Sequence, residues 1–211
     1  WTHLVHPDDF DRNRLPAPGN SQTMVISNDY VPSNNTFGGV VYCGGTMAFS
    51  ASYWALETLQ PDILGFFSCD MIYDNQEQNH FYGMGTPDPL RDDPTLQSLE
   101  AKSARLLLMA ANSGCVCLNL SDQKESRLTF PKATVEELSK SPHAYYQKEL
   151  ERLKPFLQQS GFSNAVRAEQ ETNCFIESGD YWNQGEKLDP AKLGAIDQKW
   201  LEALKASLPA E

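Results

Sequence analysis

The residues best suited to chemistry gather between Asp70 and Arg91, directly after the apolar run Ile63 to Cys69. Asp70 is the first acid past that run. It can accept a hydrogen bond from a sugar or nucleotide hydroxyl, or hold the loop that follows. His80, in His80-Phe81-Tyr82-Gly83, has the chemistry of a general acid or base near neutral pH. Arg91 and Tyr82 can donate hydrogen bonds to a phosphate. A second group is Gly44-Gly45-Thr46, just ahead of the segment Met47 to Leu59. Glycines let a ligand approach the backbone, and a helix N-terminus offers free N–H groups at the positive end of its dipole. Asp70 and His80 are therefore the candidate catalytic residues, with Gly44, Gly45, Thr46, Tyr82 and Arg91 as candidate phosphate ligands. A tight turn packed against a sheet, and a surface loop pinned by its aromatics, would account for the same residues without a ligand.

The elements that must position these groups follow from patterning. Thr23 to Ser27 has the composition of a short strand, and Asn28-Asp29 with Pro32-Ser33-Asn34-Asn35 has turn chemistry. Gly38 to Cys43 is expected as a second strand. Thr46 is a suitable N-cap for a helix Met47 to Leu59, with Phe49, Tyr53 and Leu56 on one stripe and Pro61 preventing continuation. Ile63 to Cys69 is apolar on both faces, as in a central parallel strand covered by helices. Strand, glycine turn, helix and strand make a βαβ unit. After a long loop over 71–95, a helix Leu96 to Asn112 (Leu99, Leu106 and Met109 inward) and a strand Cys115 to Leu120 repeat it.

The fold expected is α/β: an open, mostly parallel, Rossmann-like sheet with helices on both faces and a helical C-terminal extension. Residues 1–130 form the Rossmann-like domain and residues 131–211 a helical extension or lid. Within the extension, Thr134 and Glu137 form a capping box before a helix reaching Lys154 and, past Pro155, Gln159. Asp189-Pro190 opens a last helix whose apolar face is Leu193, Ile196, Trp200, Leu201 and Leu204.

Composition narrows the function classes. A net charge of −11 with no basic cluster argues against nucleic acid, whose affinity comes mainly from Lys and Arg on phosphates. No apolar run approaches the roughly 18 to 20 residues of a membrane span. The five cysteines are odd in number, and four sit in or beside apolar runs, which fits reduced, buried thiols in a cytoplasmic compartment. Cys115-x-Cys117 matches no common metal clamp, nor do His3 and His6 with Asp8 and Asp9. Nucleophile-elbow, Walker and dinucleotide fingerprints are missing from the sequence.

From Gly44 to Gly83 the order of features resembles the sialyltransferase-like group of bacterial glycosyltransferases and their phage-encoded relatives. The small-residue turn is Gly44-Gly45-Thr46-Met47-Ala48, the strand end is Ser68-Cys69-Asp70-Met71, and the loop is Asn79-His80-Phe81-Tyr82-Gly83; Leu96 to Leu120 follows as helix and strand. The resemblance spans roughly Val40 to Leu120, a little over a third of the chain. It implies a transferase that uses a nucleotide-activated sugar, CMP-linked, as substrate, with no metal and no cofactor. The turn would contact the nucleotide, Tyr73 and Tyr82 would hold the donor phosphate, and a loop histidine would be the base. Met84 stands where that family's histidine lies, leaving His80 to serve, and Ser68 replaces a glycine. The family's glycine-rich first strand and turn have no counterpart after Trp1. Either a segment precedes Trp1 or the nucleotide site is incomplete.

Three functions follow. The first is a glycosyltransferase in which His80 deprotonates an acceptor hydroxyl while Arg91 and Tyr82 stabilise the phosphate leaving group. Its partners are a nucleotide sugar and an acceptor, without nucleic acid or membrane span and with homo-oligomerisation left open. The second is a non-catalytic relative that binds a nucleotide or partner at the same edge. The third is a metal-dependent phosphoester hydrolase using Asp70 and His80.

Overall fold

The computed structural model describes residues 1–7, 17–73 and 93–205. Its elements run β1 (His3–Val5), β2 (Thr23–Val25), α1 (Ser27–Thr36), α2 (Val40–Cys43), α3 (Met47–Thr58), β3 (Ile63–Phe66), α4 (Leu99–Asn112), β4 (Val116–Asn119), α5 (Val135–Lys140), α6 (Pro142–Gln158), α7 (Ser160–Thr172), a 3-10 turn at Tyr181–Lys187 and α8 (Pro190–Lys205). The class is mixed α/β. Among the described residues the strands make two separate parallel pairs, β1 with β2 and β3 with β4, rather than one open sheet.

The second of the expected βαβ units is present. β3 and β4 lie parallel, with Ile63 opposite Val116 and Phe66 opposite Asn119, and α4 connects them. Ser98 caps α4 by accepting from Ala101 N at 3.1 Å. β4 is buried on both faces. Cys115 and Cys117 turn into the main core, and Val116 and Leu118 turn into a smaller cluster with Leu138, Tyr146 and Leu150 of α5 and α6. Burying a Val or Leu side chain in this way contributes roughly 1.5–3 kcal/mol.

The first expected unit is not. Val40 to Cys43 forms one helical turn instead of a strand, fenced by Gly39 and Gly44 at φ 96° and 94°. All four of its side chains are buried. A short all-apolar run carries no period, so strand and buried turn look alike in sequence. The turn chemistry at Asn28 to Asn35 also folds as helix, α1. Asp29 accepts from Ile26 N at 3.0 Å at its start, and buried Asn34 spends its amide on Tyr30 O and Ser50 O, fixing α1 to α3. Tertiary packing here overrides local propensity. β3 is not covered on both faces either: Gly65 is exposed and Phe67, just beyond it, is 69% exposed.

α3 begins as expected, with Thr46 Oγ1 accepting from Phe49 N at 3.3 Å. Thr134 and Glu137 do form a capping box, but the helix it starts ends at Lys140. The residue before a proline avoids helical backbone, and Ser141 (φ −159°) breaks the helix so that Pro142 starts α6. α6 then runs through Pro155. α7 follows, and α8 buries Leu193, Ile196 and Trp200 as expected. These C-terminal helices share one hydrophobic core with α2, α3 and α4. No described helix is long and apolar enough to cross a membrane.

Candidate functional site

The carboxyl ends of β3 and β4 bring together a polar group that the sequence only half announces. Asp70 leaves the end of β3 between two non-glycine residues in left-handed backbone, Ser68 at φ 54° and Met71 at φ 56°. Side chains disfavour that region, and such strain persists where surrounding bonds hold it. The bonds here come from the end of β4. Asn119 Nδ2 donates to Asp70 Oδ1 at 3.3 Å and to Ser126 Oγ at 3.0 Å. Ser121 Oγ donates to Asp70 Oδ2, and Ser121 N donates to Asn119 Oδ1 at 2.9 Å. Arg127 N closes onto Asp70 O at 2.9 Å. Asn119 is buried, while Asp70 and Ser121 are half-buried and lie at the edge where open parallel sheets take ligands.

Neighbouring chemistry is quiet. Burial pushes the Cys69 thiol up to about 11, with the Asp70 charge adding to it, so Cys69 is no thiolate nucleophile. Tyr73 packs half-buried against the main core. His80, Tyr82 and Arg91 lie outside the described residues, as does Met84.

Gly44, Gly45 and Thr46 are placed elsewhere, against α4 and the 3-10 turn. Gly45 N donates to Thr95 Oγ1 at 3.1 Å, and Thr95 Oγ1 and N both donate to Asp93 Oδ1. Tyr181 OH donates to Asp93 Oδ2 at 2.7 Å. A Cβ on Gly45 would stand 2.2 Å from the Tyr181 hydroxyl, and one on Gly44 3.1 Å from Lys102 Cγ. The glycines thus admit the protein's own side chains. Thr46 is buried and its hydroxyl oxygen is occupied by the helix cap. Among the described residues no hydrogen bond joins this turn to Asp70.

Asn119, Ser121 and Ser126 were missed as site residues, although Asn119 and Ser121 end an apolar strand parallel to the one that Asp70 ends. That pairing was the available signal. A second unforeseen cluster is buried under α4. Arg105 donates from Nε and Nη2 to the two Glu169 oxygens at 2.7 and 2.9 Å, from Nη1 to Tyr53 OH at 2.7 Å, and from Nη2 to Phe37 O. Trp200 Nε1 donates to Glu169 Oε1 at 2.7 Å. Every strong donor there has a protein partner, and so the cluster reads as structural.

Among the described residues no group of three or more His, Cys, Asp or Glu is placed to hold a metal ion. The cysteines are free. The chain matches no family model, no curated protein and no solved structure.

Proposed function

We propose that the carboxyl edge of β3 and β4 is the site of a glycosyltransferase-like activity on a nucleotide-activated sugar. The observation that carries it is the Asp70 carboxylate, held by Asn119 and Ser121 between two left-handed residues at that edge. A carboxylate fixed this way keeps a free lone pair for a sugar or ribose hydroxyl while its orientation is set by the protein. In this reading β3, α4 and β4 are the working unit of a Rossmann-like sheet, and the donor is CMP-linked, as the sequence resemblance suggests. His80 takes the acceptor proton, and Tyr73, Tyr82 and Arg91 serve the donor phosphate. Gly45 N and the Thr46 hydroxyl oxygen are engaged within the protein, so in this reading the turn Gly44 to Thr46 braces α3 beside the donor site.

A second reading is favoured by one detail: both Asp70 oxygens already accept from Asn119 and Ser121. In it the same edge binds a nucleotide without catalysing transfer. Calorimetry with CMP, CDP and UMP, repeated on Asp70→Ala and His80→Ala, separates them. Transfer predicts CMP binding that Asp70→Ala weakens about tenfold and sugar transfer that His80→Ala lowers by 10²-fold or more. Binding without transfer leaves the second reading. Absence of any nucleotide binding removes both.

A further inference from the structure

At the opposite end of the same strand pair, a cavity of about 410 Å³ opens between the C-terminal ends of α3 and α4. Pro61 and Cys115, the residues leading into β3 and β4, form part of its lining. Phe37 and Leu56 add apolar wall, and Glu57, Gln60 and Ser113 add polar groups. The volume falls within the range of small-molecule sites.

The electrostatics of this cavity have one sign. A helix C-terminus carries unpaired carbonyls and roughly half a negative charge, normally offset by a basic residue in its last turn. Neither α3 nor α4 has one. Leu59 N and Gln60 N both close onto Ala55 O, leaving the Leu56, Glu57 and Thr58 carbonyls with no backbone donor among the described residues. Pro61 cannot supply one because it has no N–H. At α4, the N–H groups of Ser113, Gly114 and Cys115 close onto residues 109–111, leaving the Asn112 carbonyl similarly open. The Glu57 carboxylate adds a full charge, and among the described residues it accepts only from the Thr58 hydroxyl, at 3.4 Å. Among the described residues no Lys, Arg or His lines the cavity. The remaining thiol is neutral, since burial pushes Cys115 up to about 12. The α1 end is different, because Arg105 already occupies the Phe37 carbonyl from the core side.

We propose that this cavity is a binding site for a small organic monocation, a primary ammonium on an apolar body. The ammonium meets the Glu57 carboxylate and the open Leu56 and Glu57 carbonyls at the end of α3, and the body lies against Phe37 and Leu56. The site is at the amino ends of β3 and β4 and does not rest on the reading of Asp70.

The test uses the full chain at pH 7 and ligand-observed NMR titration with 2-phenylethylamine, neutral 2-phenylethanol and anionic 3-phenylpropanoate. Saturable binding is expected for the amine alone. Glu57→Gln should weaken it about fivefold. Ser113→Lys, at an exposed C-cap where a cation also suits the helix, should abolish it while leaving thermal unfolding unchanged or raised. Lack of saturable amine binding overturns the proposal, as does equal binding of the alcohol or carboxylate. Amine binding that ignores both substitutions overturns it as well.

Discussion

Two buried ion pairs join α4 to the C-terminal helices, and they are built in opposite ways. Arg105 and Glu169 are bidentate, and the charge of each is further shared: Arg105 with Tyr53 and Phe37, Glu169 with Trp200. Tyr42 OH, which accepts from Cys174 N at 2.9 Å, donates to Glu169 O and so ties the same helix down. Burial opposes the Arg105 charge, but Glu169, Tyr53 and Cys43 together outweigh it and raise its pKa, and Arg105 stays a cation. One helical turn away, Lys102 Nζ stands 2.9 Å from Asp197 Oδ1, while Asp197 Oδ2 is buried without a hydrogen-bond partner among the described residues. Lys102 has only a long contact to Val41 O, at 3.5 Å, as a second partner. Both pairs are almost wholly buried. Attraction offsets desolvation only where the remaining donors and acceptors are satisfied, so the first pair is expected to hold the fold together and the second to burden it.

The largest effect should come from breaking the well-made pair. Glu169→Leu leaves Arg105 buried without a counter-charge and Trp200 Nε1 without its acceptor. It is expected to cost about 3–5 kcal/mol in urea unfolding. The paired replacements then separate the two regions. Arg105→Met with Glu169→Leu still strands Tyr53 OH, Trp200 Nε1 and Phe37 O, and should remain destabilised by about 2 kcal/mol or more. Lys102→Met with Asp197→Leu strands nothing comparable and should be neutral or stabilising by about 1–2 kcal/mol. Equal costs for the two double variants would dissolve the distinction.

Neither pair was legible in the sequence, and the reason is physical. Lys102 and Arg105 sit three apart on a helix whose other residues are mostly apolar or small, and in sequence they pass for solvated charges. Glu169 lies on α7, on the face that carries Phe162, Ala165 and Val166, but 64 residues from its partner. What was legible is local: the Thr46 and Thr134 caps, the α8 stripe, and the β3-α4-β4 alternation. The α2 turn was hidden by lack of period, and α1 by side chains that chose tertiary partners over turns. At the candidate site Asp70 was visible as the first acid after a strand. Asn119 and Ser121 were not, because only the β3–β4 register brings them to it.

A smaller effect tests the poorly made pair through pH. Burial pushes the Asp197 carboxyl above its ordinary value; Lys102 and Arg105 on α4 oppose this, and Glu169 on α7 adds to it. An acid with a raised folded-state pKa contributes stability below its unfolded value, near 3.8, and loses it as pH rises through the folded value. Asp197→Asn mimics the protonated form and removes that loss. Its stability relative to the unmodified chain should therefore climb as pH rises from about 4 toward 7. A flat difference across that range would mean Asp197 is not desolvated as its burial implies.

The smallest effect belongs to a third pair that shares the bidentate geometry but not the burial. Arg127 Nε and Nη2 donate to the Glu100 oxygens at 2.8 and 3.1 Å, with the two side chains 33% and 42% exposed. Hydrogen bonding from Arg127 holds the Glu100 carboxyl below its ordinary value. A depressed acid contributes stability above its unfolded value, near 4.5, and loses it as pH falls through the folded one. Solvent screens an exposed pair, so Arg127→Ala should cost only about 0.5 kcal/mol at pH 7, less in high salt, and nothing once Glu100 is protonated. Because Arg127 holds Asp70 through its backbone N–H, alanine keeps that bond, and nucleotide affinity at the candidate site should not change. A cost above about 2 kcal/mol would show that bidentate geometry, rather than burial with full hydrogen bonding, sets the worth of these pairs.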